Sequence, residues 1–359
     1  MWFLLAFITG VVAYDLLQRK HAILRNFPII GHVRYILESV GPELRQYIVT
    51  NNNEERPFSR DQRRWIYASS KRENTCFGFG TDNEMESAPN YLIIKHSAFP
   101  LNSPHPGDRD YDLEHRIACQ KVLGGNQGLA KAFRPSSVVN ISGMSFGSLS
   151  GPAVEALNRG AKIAGCLQNT GEGGVSVHYL CGGDIVWQIG AGYFGRRDRD
   201  GRFSMSLLKE VVDRHSSVRA IEIKLSQGAK PAVGGLLPKK KITREIAEAR
   251  GIPLDRDCAS PSAHREFHDA DEWLDFVKSI AEETGLPVGI KSAVGELTSW
   301  KDVAHLMATT GRAPYFVTID GGEGGTGASP LVFTDHVALP FKVGFGRVHR
   351  IFDAAGVSE

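Results

Sequence analysis

The sequence has few cysteines and none of the close pairs that build common cysteine sites. Its five cysteines are odd in number, lie far apart and include no C-x-x-C pair. This pattern argues against a disulfide framework, a zinc site or a self-contained iron–sulfur loop. A reducing, cytosolic location for the bulk of the chain fits best. The cysteines are Cys76, Cys119, Cys166, Cys181 and Cys258.

The chain also lacks a strong net charge. Its 359 residues carry a formal charge of +2 at pH 7, and 42% of them are hydrophobic and 23% charged. These values are typical of a globular protein that forms one large domain or two ordinary ones. Short basic runs such as residues 239–241 are interpreted as solvated, so no nucleic-acid partner is expected.

The N-terminal apolar run is short for a transmembrane helix. It covers residues 1–14, against the usual length of about 20 residues, and it lacks the charge and cleavage site of a secretory signal. A longer helix would include Asp15 as a costly interruption. Basic residues at 19–25 would keep the downstream chain in the cytoplasm. We predict a membrane anchor over residues 1–25, with a buried or truncated core helix as the alternative.

Residues 26–135 show an irregular pattern without repeats or a catalytic motif. Helices are predicted near residues 42–50 and 62–71, and segments punctuated by proline and glycine follow, with short apolar runs such as YLIIKH. We predict that this region decorates the main domain and packs on it.

Strand and helix patterns alternate from about residue 136 onwards. Several of the helical segments end at glycine, as helices commonly do, and no tight hairpin signal occurs. This alternation predicts a parallel sheet with right-handed crossovers. Strands are predicted at 138–142, 166–170, 185–189, 220–226, 287–292 and 315–320, and helices at 151–165, 206–215, 242–251, 271–285 and 300–311.

Polar or glycine-rich segments follow successive strands at their carboxyl ends. They include SGMSFGSLS, GEGG, GAGYFG and QGAKPAVGG. Such loops suit a barrel with one site on its top face, whereas a doubly wound sheet would concentrate its fingerprint at the first strand. We predict an α/β fold of the TIM-type (β/α)8 barrel class. About six βα units are present over residues 136–359, behind an N-terminal helical and irregular extension.

The last predicted strand runs into a glycine-rich segment. Five of the seven residues 321–327 are glycine, and G-x-G-x-x-G is satisfied, which alone is a weak signal. The acidic partner of a dinucleotide site is missing about 20 residues further on, and there is no GK[ST] of a P-loop. A tight turn without a ligand needs fewer glycines. Close backbone approach to a flat or anionic ligand is the better explanation.

Seven ordered motifs between residues 141 and 330 carry a family resemblance. The chain resembles the FMN-binding domain of glutamate synthase and, more closely, the membrane-anchored single-domain bacterial relatives of that domain. This implies a bacterial cytoplasmic membrane location with the barrel in the cytoplasm; the alternative is a cytoplasmic protein. The motifs are ISGMSFGSLS (141–150), QNTGEGG (168–174), VWQIGAGYFG (186–195), IEIKLSQGAKPAVGGLLP (221–238), IAEAR (246–250), ASPSAHREFHD (259–269) and DGGEGGTGASP (320–330).

The resemblance implies an FMN site. Gln188 and Lys291 would hydrogen-bond the isoalloxazine, and a cation at Lys291 suits the anionic reduced flavin. A satisfied core glutamine is the alternative for Gln188. The first loop would face the ring, and the glycine-rich segment would lie beside the ribityl and phosphate groups. The implied cofactor-binding residues are Gly143, Met144, Ser145, Gln188, Lys291, Gly324, Gly325 and Thr326.

The resemblance also implies a 2-oxo acid substrate. Lys230 and Arg250 match the carboxylate ligands of 2-oxoglutarate, and two cations suit a dicarboxylate. A solvated lysine is the alternative for Lys230. Glu172 would border the same pocket, and Glu172 and Lys291 are the implied catalytic residues. The implied reaction is reductive amination of 2-oxoglutarate, or a similar 2-oxo acid, with ammonia by reduced FMN in glutamate biosynthesis.

Several features depart from the family pattern. Leu236 replaces a glutamine, Val175 an acid and Gly322 a histidine. The ligands of the family's [3Fe–4S] cluster are absent, so we expect a C-terminally incomplete chain. There is no N-terminal cysteine nucleophile, so ammonia is expected from outside. The electron donor protein stays unidentified.

Two other functions are alternatives, namely a non-catalytic membrane-anchored barrel fragment and a nicotinamide-dependent dehydrogenase. A metal is not expected, because His264 and His268 lack a third ligand.

Overall fold

The computed structural model divides the chain into two compact units, Met1–Lys95 and His96–Glu359. It describes residues 2–47, 49, 58–76, 78, 80–81, 83, 85–86, 96–99, 105–109, 119–231 and 233–358. Most of the YLIIKH run lies outside the described residues. The division of the chain at residues 25 and 135 stays a prediction.

The described residues of the first unit form helices. Asp15, at the end of the first helix, is buried and accepts hydrogen bonds from the backbone N–H of Ile29 at 2.9 Å and from Nε2 of His32 at 2.8 Å. The bond from Ile29 lowers the pKa of Asp15 against the opposing effect of burial, and His32 adds to the lowering. Asp15 therefore ties the first helix to the turn before the third. The helices are α1 (Trp2–Leu17), α2 (Ala22–Asn26), α3 (Gly31–Tyr47) and α4 (Arg60–Ser70).

The N-terminal helix is shorter than a membrane span. It has 16 residues, and none of the helices within the described residues is both long and apolar enough to cross a membrane. The predicted transmembrane anchor is therefore not supported. The helix predicted near residues 42–50 is the end of the longer α3, and the one predicted at 62–71 is α4.

The second unit contains a parallel sheet of five strands in the order β1-β2-β3-β6-β7. The sheet curls into half of a barrel, which confirms the predicted TIM-type fold class. The predicted strand at 138–142 contributes only a single parallel bridge between Ile141 and Gln168. Strands β4 and β5 form a separate antiparallel pair. The strands are β1 (Gln168–Asn169), β2 (Ile185–Ile189), β3 (Val218–Lys224), β4 (Leu236–Leu237), β5 (Cys258–Ala259), β6 (Val288–Ala293) and β7 (Val317–Asp320).

Helices connect the parallel strands, as the alternating pattern predicts. Helices α5, α7, α8 and α9 each end at a glycine with φ between 65° and 71°, a left-handed conformation that glycine adopts without strain. The helices of this unit are α5 (Gly151–Ala164), α6 (Met205–Arg214), α7 (Arg244–Arg250), α8 (Ala270–Thr284), α9 (Thr298–Thr310), α10 (Leu331–His336) and α11 (Phe341–Ala354).

The two faces of the sheet differ in chemistry. Alternate residues such as Trp187, Ile221 and Ile290 pack with helix residues into the main core. Between them, Val186 and Ala220 face a smaller apolar cluster. Because side chains alternate along a strand, Gln188 and its register partner Glu222 follow on this second face, nearer the carboxyl ends. The second face therefore becomes polar where a barrel carries its site.

Candidate active site

Tyr179 holds the first loop of the site against the end of β1. Its hydroxyl accepts a hydrogen bond from the backbone N–H of Phe146 at 2.8 Å. The carbonyl oxygens of Met144 and Thr170 lie 2.9 Å and 2.8 Å from the same hydroxyl, and its single proton is donated to them. Tyr179 is fully buried, and burial raises its pKa well above the ordinary value, so the phenol stays a donor. Sequence reasoning missed Tyr179, because no motif marks it.

Gly143 lies directly on two amide side chains. A Cβ at this position would be 2.9 Å from Oδ1 of Asn169 and 3.1 Å from Nε2 of Gln188. Only glycine lets the loop approach this closely. The structure thus brings Gly143 and Gln188 together, as the predicted cofactor site requires.

Glu222 lies under these amides and joins the neighbouring strands. Its carboxylate is 2% exposed and accepts hydrogen bonds from Asn169, Gln188 and Thr318. Gln188 is therefore part of a polar network on the second face of the sheet. Glu222 was not among the predicted site residues, since a lone acid within an apolar strand carries no motif.

The carboxylate of Glu172 lies in a recess between Gly190, which follows β2, and Gly235, which precedes β4. The residue lies in the short helical turn after β1, and its Oε1 is 3.1 Å from Nζ of Lys224. Burial opposes ionisation of Glu172, but Lys224, Lys230 and Arg250 outweigh burial and lower its pKa. Glu172 is therefore ionised at neutral pH.

The two predicted substrate cations are both buried near Glu172. Lys230 is 4% exposed and donates to the carbonyl of Gly234 at 3.2 Å. Burial lowers the pKa of Lys230, while Glu172 opposes this effect. Arg250 donates through Nη2 to the carbonyl of Phe146 at 3.1 Å, and its buried Nε has no partner in the described part of the chain. Both cations thus keep donor capacity for an anion.

A small cavity lies beside the ion pair of Glu172 and Lys224. Lys230 lines it, whereas Arg250 is not among the lining residues. Its volume is about 30 Å³, close to that of a single water molecule. The cavity as it stands is therefore too small for a dicarboxylate.

Lys291 has a carboxylate partner in the glycine-rich segment. It is 9% exposed, and its Nζ lies 3.1 Å from Oδ2 of Asp320. The same oxygen accepts the backbone N–H of Gly228 at 3.1 Å. Asp320 thus connects the predicted flavin ligand to the loop that carries Lys230. Sequence reasoning missed Asp320, although it is the first residue of DGGEGG.

One glycine of the segment, Gly322, and Gly228 of the loop that faces the segment serve packing within the chain. A Cβ at Gly228 would lie 1.7 Å from the carbonyl oxygen of Gly321, and one at Gly322 would lie 2.5 Å from that of Ala338. These glycines are required where backbones meet. Contacts within the chain therefore explain these glycines, and no nearby ligand is needed to explain them.

The following glycines remain candidates for a ligand. Apart from the adjacent residues of the chain, no heavy atom of the described residues comes within 4 Å of a Cβ built at Gly325 or Gly327. Neither glycine has a positive φ, so no turn geometry demands it. The predicted approach of FMN beside Gly324, Gly325 and Thr326 stays a prediction.

His264 supports the end of β3 and is not placed as a metal ligand. Its Nε2 donates to the carbonyl of Lys224 at 2.8 Å, so Nδ1 accepts the hydroxyl proton of Tyr193 at 3.0 Å. Among the described residues, no group of three or more His, Cys, Asp or Glu side chains is arranged to hold a metal ion. Both ring nitrogens thus position the strand that carries Lys224.

Replacing His264 by glutamine is expected to flatten the pH dependence of stability. Burial lowers the pKa of His264 to about 4 from 6.5, so the unfolded chain binds the proton first. The free energy of unfolding then falls as pH decreases from 6.5 to 4, by about 3 kcal/mol from this group. Urea unfolding at several pH values measures the slope. Equal slopes in the wild type and the variant would contradict the expectation.

Replacing Gly190 by alanine is expected to displace the Glu172 carboxylate from Lys224. The new Cβ would lie 2.3 Å from Oε2 of Glu172. Such a displacement is expected to lower kcat/KM for the 2-oxo acid that the sequence predicts as substrate by about 10- to 100-fold. Gly160→Ala is a matched control, since no described atom beyond the backbone of its own helix lies within 4 Å of its Cβ. Turnover of Gly190→Ala equal to that of the control would show that the position of Glu172 is unimportant.

Comparisons with known proteins identify the family. A family profile described as "Conserved region in glutamate synthase" matches residues 101–359. The chain belongs to the glutamate synthase family. It is 36% identical to the glutamate synthase large subunit-like protein YerD of Bacillus subtilis, over 99% of this chain and 74% of that protein. The predicted resemblance is confirmed.

Other glutamate synthase relatives are longer than the matched region. The archaeal-type glutamate synthase [NADPH] of Thermotoga neapolitana is 33% identical over 68% of this chain and 46% of its own length. The archaeal glutamate synthase [NADPH] of Methanocaldococcus jannaschii is 33% identical over 72% of this chain and 50% of its own length. The chain thus spans half or less of these two glutamate synthases, and it belongs to a family of oxidoreductases.

Proposed function

We propose that the chain carries the FMN-dependent amination site of a glutamate synthase-like enzyme. The observation that supports this most is that two buried cations lie beside Glu172: Lys230 lines the same cavity, and Nη2 of Arg250 is 3.3 Å from a Cβ built at the adjacent Gly173. Two buried cations beside an ionised acid suit a dicarboxylate that becomes an iminium cation. The proposed substrates are 2-oxoglutarate and ammonia.

The residues on the second face of the sheet, at the carboxyl ends of its strands, suit a flavin. Gly143 leaves no room for a side chain above Asn169 and Gln188, which makes a flat platform. Lys291 supplies a positive charge on β6, two strands from the β2 strand of Gln188, and Gly325 keeps its backbone open. When bound, reduced FMN supplies a hydride. Gln188, Lys291 and the residues 143–145 and 324–326 are the proposed contacts.

The chain's own residues act on the substrate by binding and by charge. Lys230 and Arg250 hold the two carboxylates and orient the 2-oxo carbon. Ammonia, formed when ammonium releases a proton, adds to the keto carbon, and loss of water with return of one proton leaves the iminium. The ionised Glu172 stabilises this cation, since it lies in a recess where water screens little. Hydride addition to the iminium carbon then gives glutamate.

Absorbance spectroscopy with the purified full chain tests the proposal. Titration with FMN is expected to give perturbed flavin bands between about 350 and 500 nm. Dithionite bleaches these bands, and 2-oxoglutarate with ammonium restores them without air. Either compound alone is the control and leaves the flavin reduced. A chain that takes up no FMN would support the alternative of a non-catalytic barrel.

A further inference from the structure

Three donors from three strands converge on the carboxylate of Glu222. Oε1 accepts from Nδ2 of Asn169 at 2.8 Å and from Nε2 of Gln188 at 2.6 Å. Oε2 accepts from the hydroxyl of Thr318 at 2.6 Å. The side chain is 2% exposed, so water does not replace these donors. Glu222 therefore fixes the geometry of its neighbours.

This arrangement decides which way two amides turn. A carboxylate oxygen only accepts hydrogen bonds, so Asn169 and Gln188 must each direct their NH2 group at Glu222. A second hydrogen bond supports this orientation of the Asn169 amide, because its Oδ1 accepts the backbone N–H of Gly171 at 2.9 Å. The side-chain oxygen Oε1 of Gln188 consequently points away from Glu222, and no donor in the described part of the chain is bonded to it, whereas the main-chain carbonyl of Gln188 accepts from Arg196.

We propose that Glu222 is a positioning residue that makes Gln188 a hydrogen-bond acceptor and thereby selects the N3–H edge of the flavin. The proposal rests on the proposed function, in that FMN occupies the site. An oxidised isoalloxazine ring has one N–H donor, at N3, between two carbonyl acceptors. An acceptor that faces the ring can bond only to this N–H. The network thus specifies which ring edge enters the site.

The experiment compares two probes, FMN and 3-methyl-FMN, in which a methyl group replaces the N3 proton. Dissociation constants come from quenching of flavin fluorescence with the full chain. The wild type is expected to bind FMN at least about tenfold more tightly than 3-methyl-FMN. Glu222→Met keeps the volume but removes the acceptor, so the amide of Gln188 is free to turn.

The variants are expected to separate orientation from general damage. Glu222→Met should raise the dissociation constant of FMN by about tenfold and change that of 3-methyl-FMN by less than about threefold. Glu222→Gln keeps an acceptor oxygen and should restore the preference for FMN. Glu210→Met is the matched surface control, because Glu210 is exposed on α6. Thermal melting of each variant without flavin reports folding.

Each outcome decides between the inference and the proposed function. A wild type that binds neither probe overturns the proposed function. A wild type that binds both probes equally overturns the inference alone, even if Glu222→Met does not fold. Equal weakening of both probes in Glu222→Met also overturns the inference, as does a Glu222→Gln variant that behaves like Glu222→Met.

Discussion

Replacing Lys230 by methionine is expected to lower kcat/KM for the proposed substrate 2-oxoglutarate by about 30-fold or more. Lys230 is 4% exposed and close to the ionised Glu172. A substrate carboxylate that loses a buried cation is left desolvated and unpaired, which costs about 2–5 kcal/mol. FMN affinity should stay the same, since Lys230 is assigned to the substrate. The measurement is the rate at which 2-oxoglutarate and ammonium reoxidise the reduced protein.

Lys240→Met is the matched control for this prediction. Lys240 is exposed in the turn Lys239–Lys241 of the same connection between β3 and α7. The control is expected to keep the wild-type rate. If Lys230→Met also kept that rate, Lys230 would not bind the substrate. A loss of flavin together with the rate would instead place Lys230 at the cofactor.

Replacing Gly228 by alanine is expected to lower the free energy of unfolding by about 3 kcal/mol or more. The new Cβ would lie 1.7 Å from the carbonyl oxygen of Gly321. The backbone fixes the position of the Cβ, and the oxygen is itself a backbone atom, so no side-chain rotation relieves the overlap. The loop that carries Lys230 must therefore separate from the glycine-rich segment. Urea denaturation monitored by circular dichroism measures the effect.

Gly160→Ala is the control for this substitution as well. Gly160 is exposed in helix α5, and no described atom beyond the backbone of its own helix lies within 4 Å of its Cβ. Alanine there is expected to raise the free energy of unfolding by about 0.5–1 kcal/mol, because it restricts the unfolded chain. A Gly228→Ala protein as stable as the wild type would mean that the two backbones do not meet as described.

The sequence predicted the strands better than the contacts between them. The strand predicted at 185–189 matches β2, because a run of buried apolar residues bounded by glycine and polar residues is a local signal. The run at 138–142 has the same signal but forms a single bridge at Ile141. Pairing depends on neighbours that the local pattern does not contain.

Two of the predicted site residues, Glu172 and Lys230, lie together for a physical reason. Parallel strands bring their carboxyl ends to one edge, so loops that are far apart in sequence meet there. Glu172 and Lys230 accordingly line one cavity. Asp320, Glu222 and Tyr179 were missed because their roles depend on hydrogen bonds to residues in other segments. A single side chain in a strand or short turn does not reveal such partners.

The most direct measurement is a single turnover with labelled ammonium. The full chain is loaded with FMN, reduced with dithionite without air, and mixed with 2-oxoglutarate and 15N-ammonium. Mass spectrometry is expected to find one 15N-glutamate for each flavin that is reoxidised, and none when 2-oxoglutarate or ammonium is omitted. Flavin that stays reduced, or that reoxidises without forming labelled glutamate, would contradict the proposed amination.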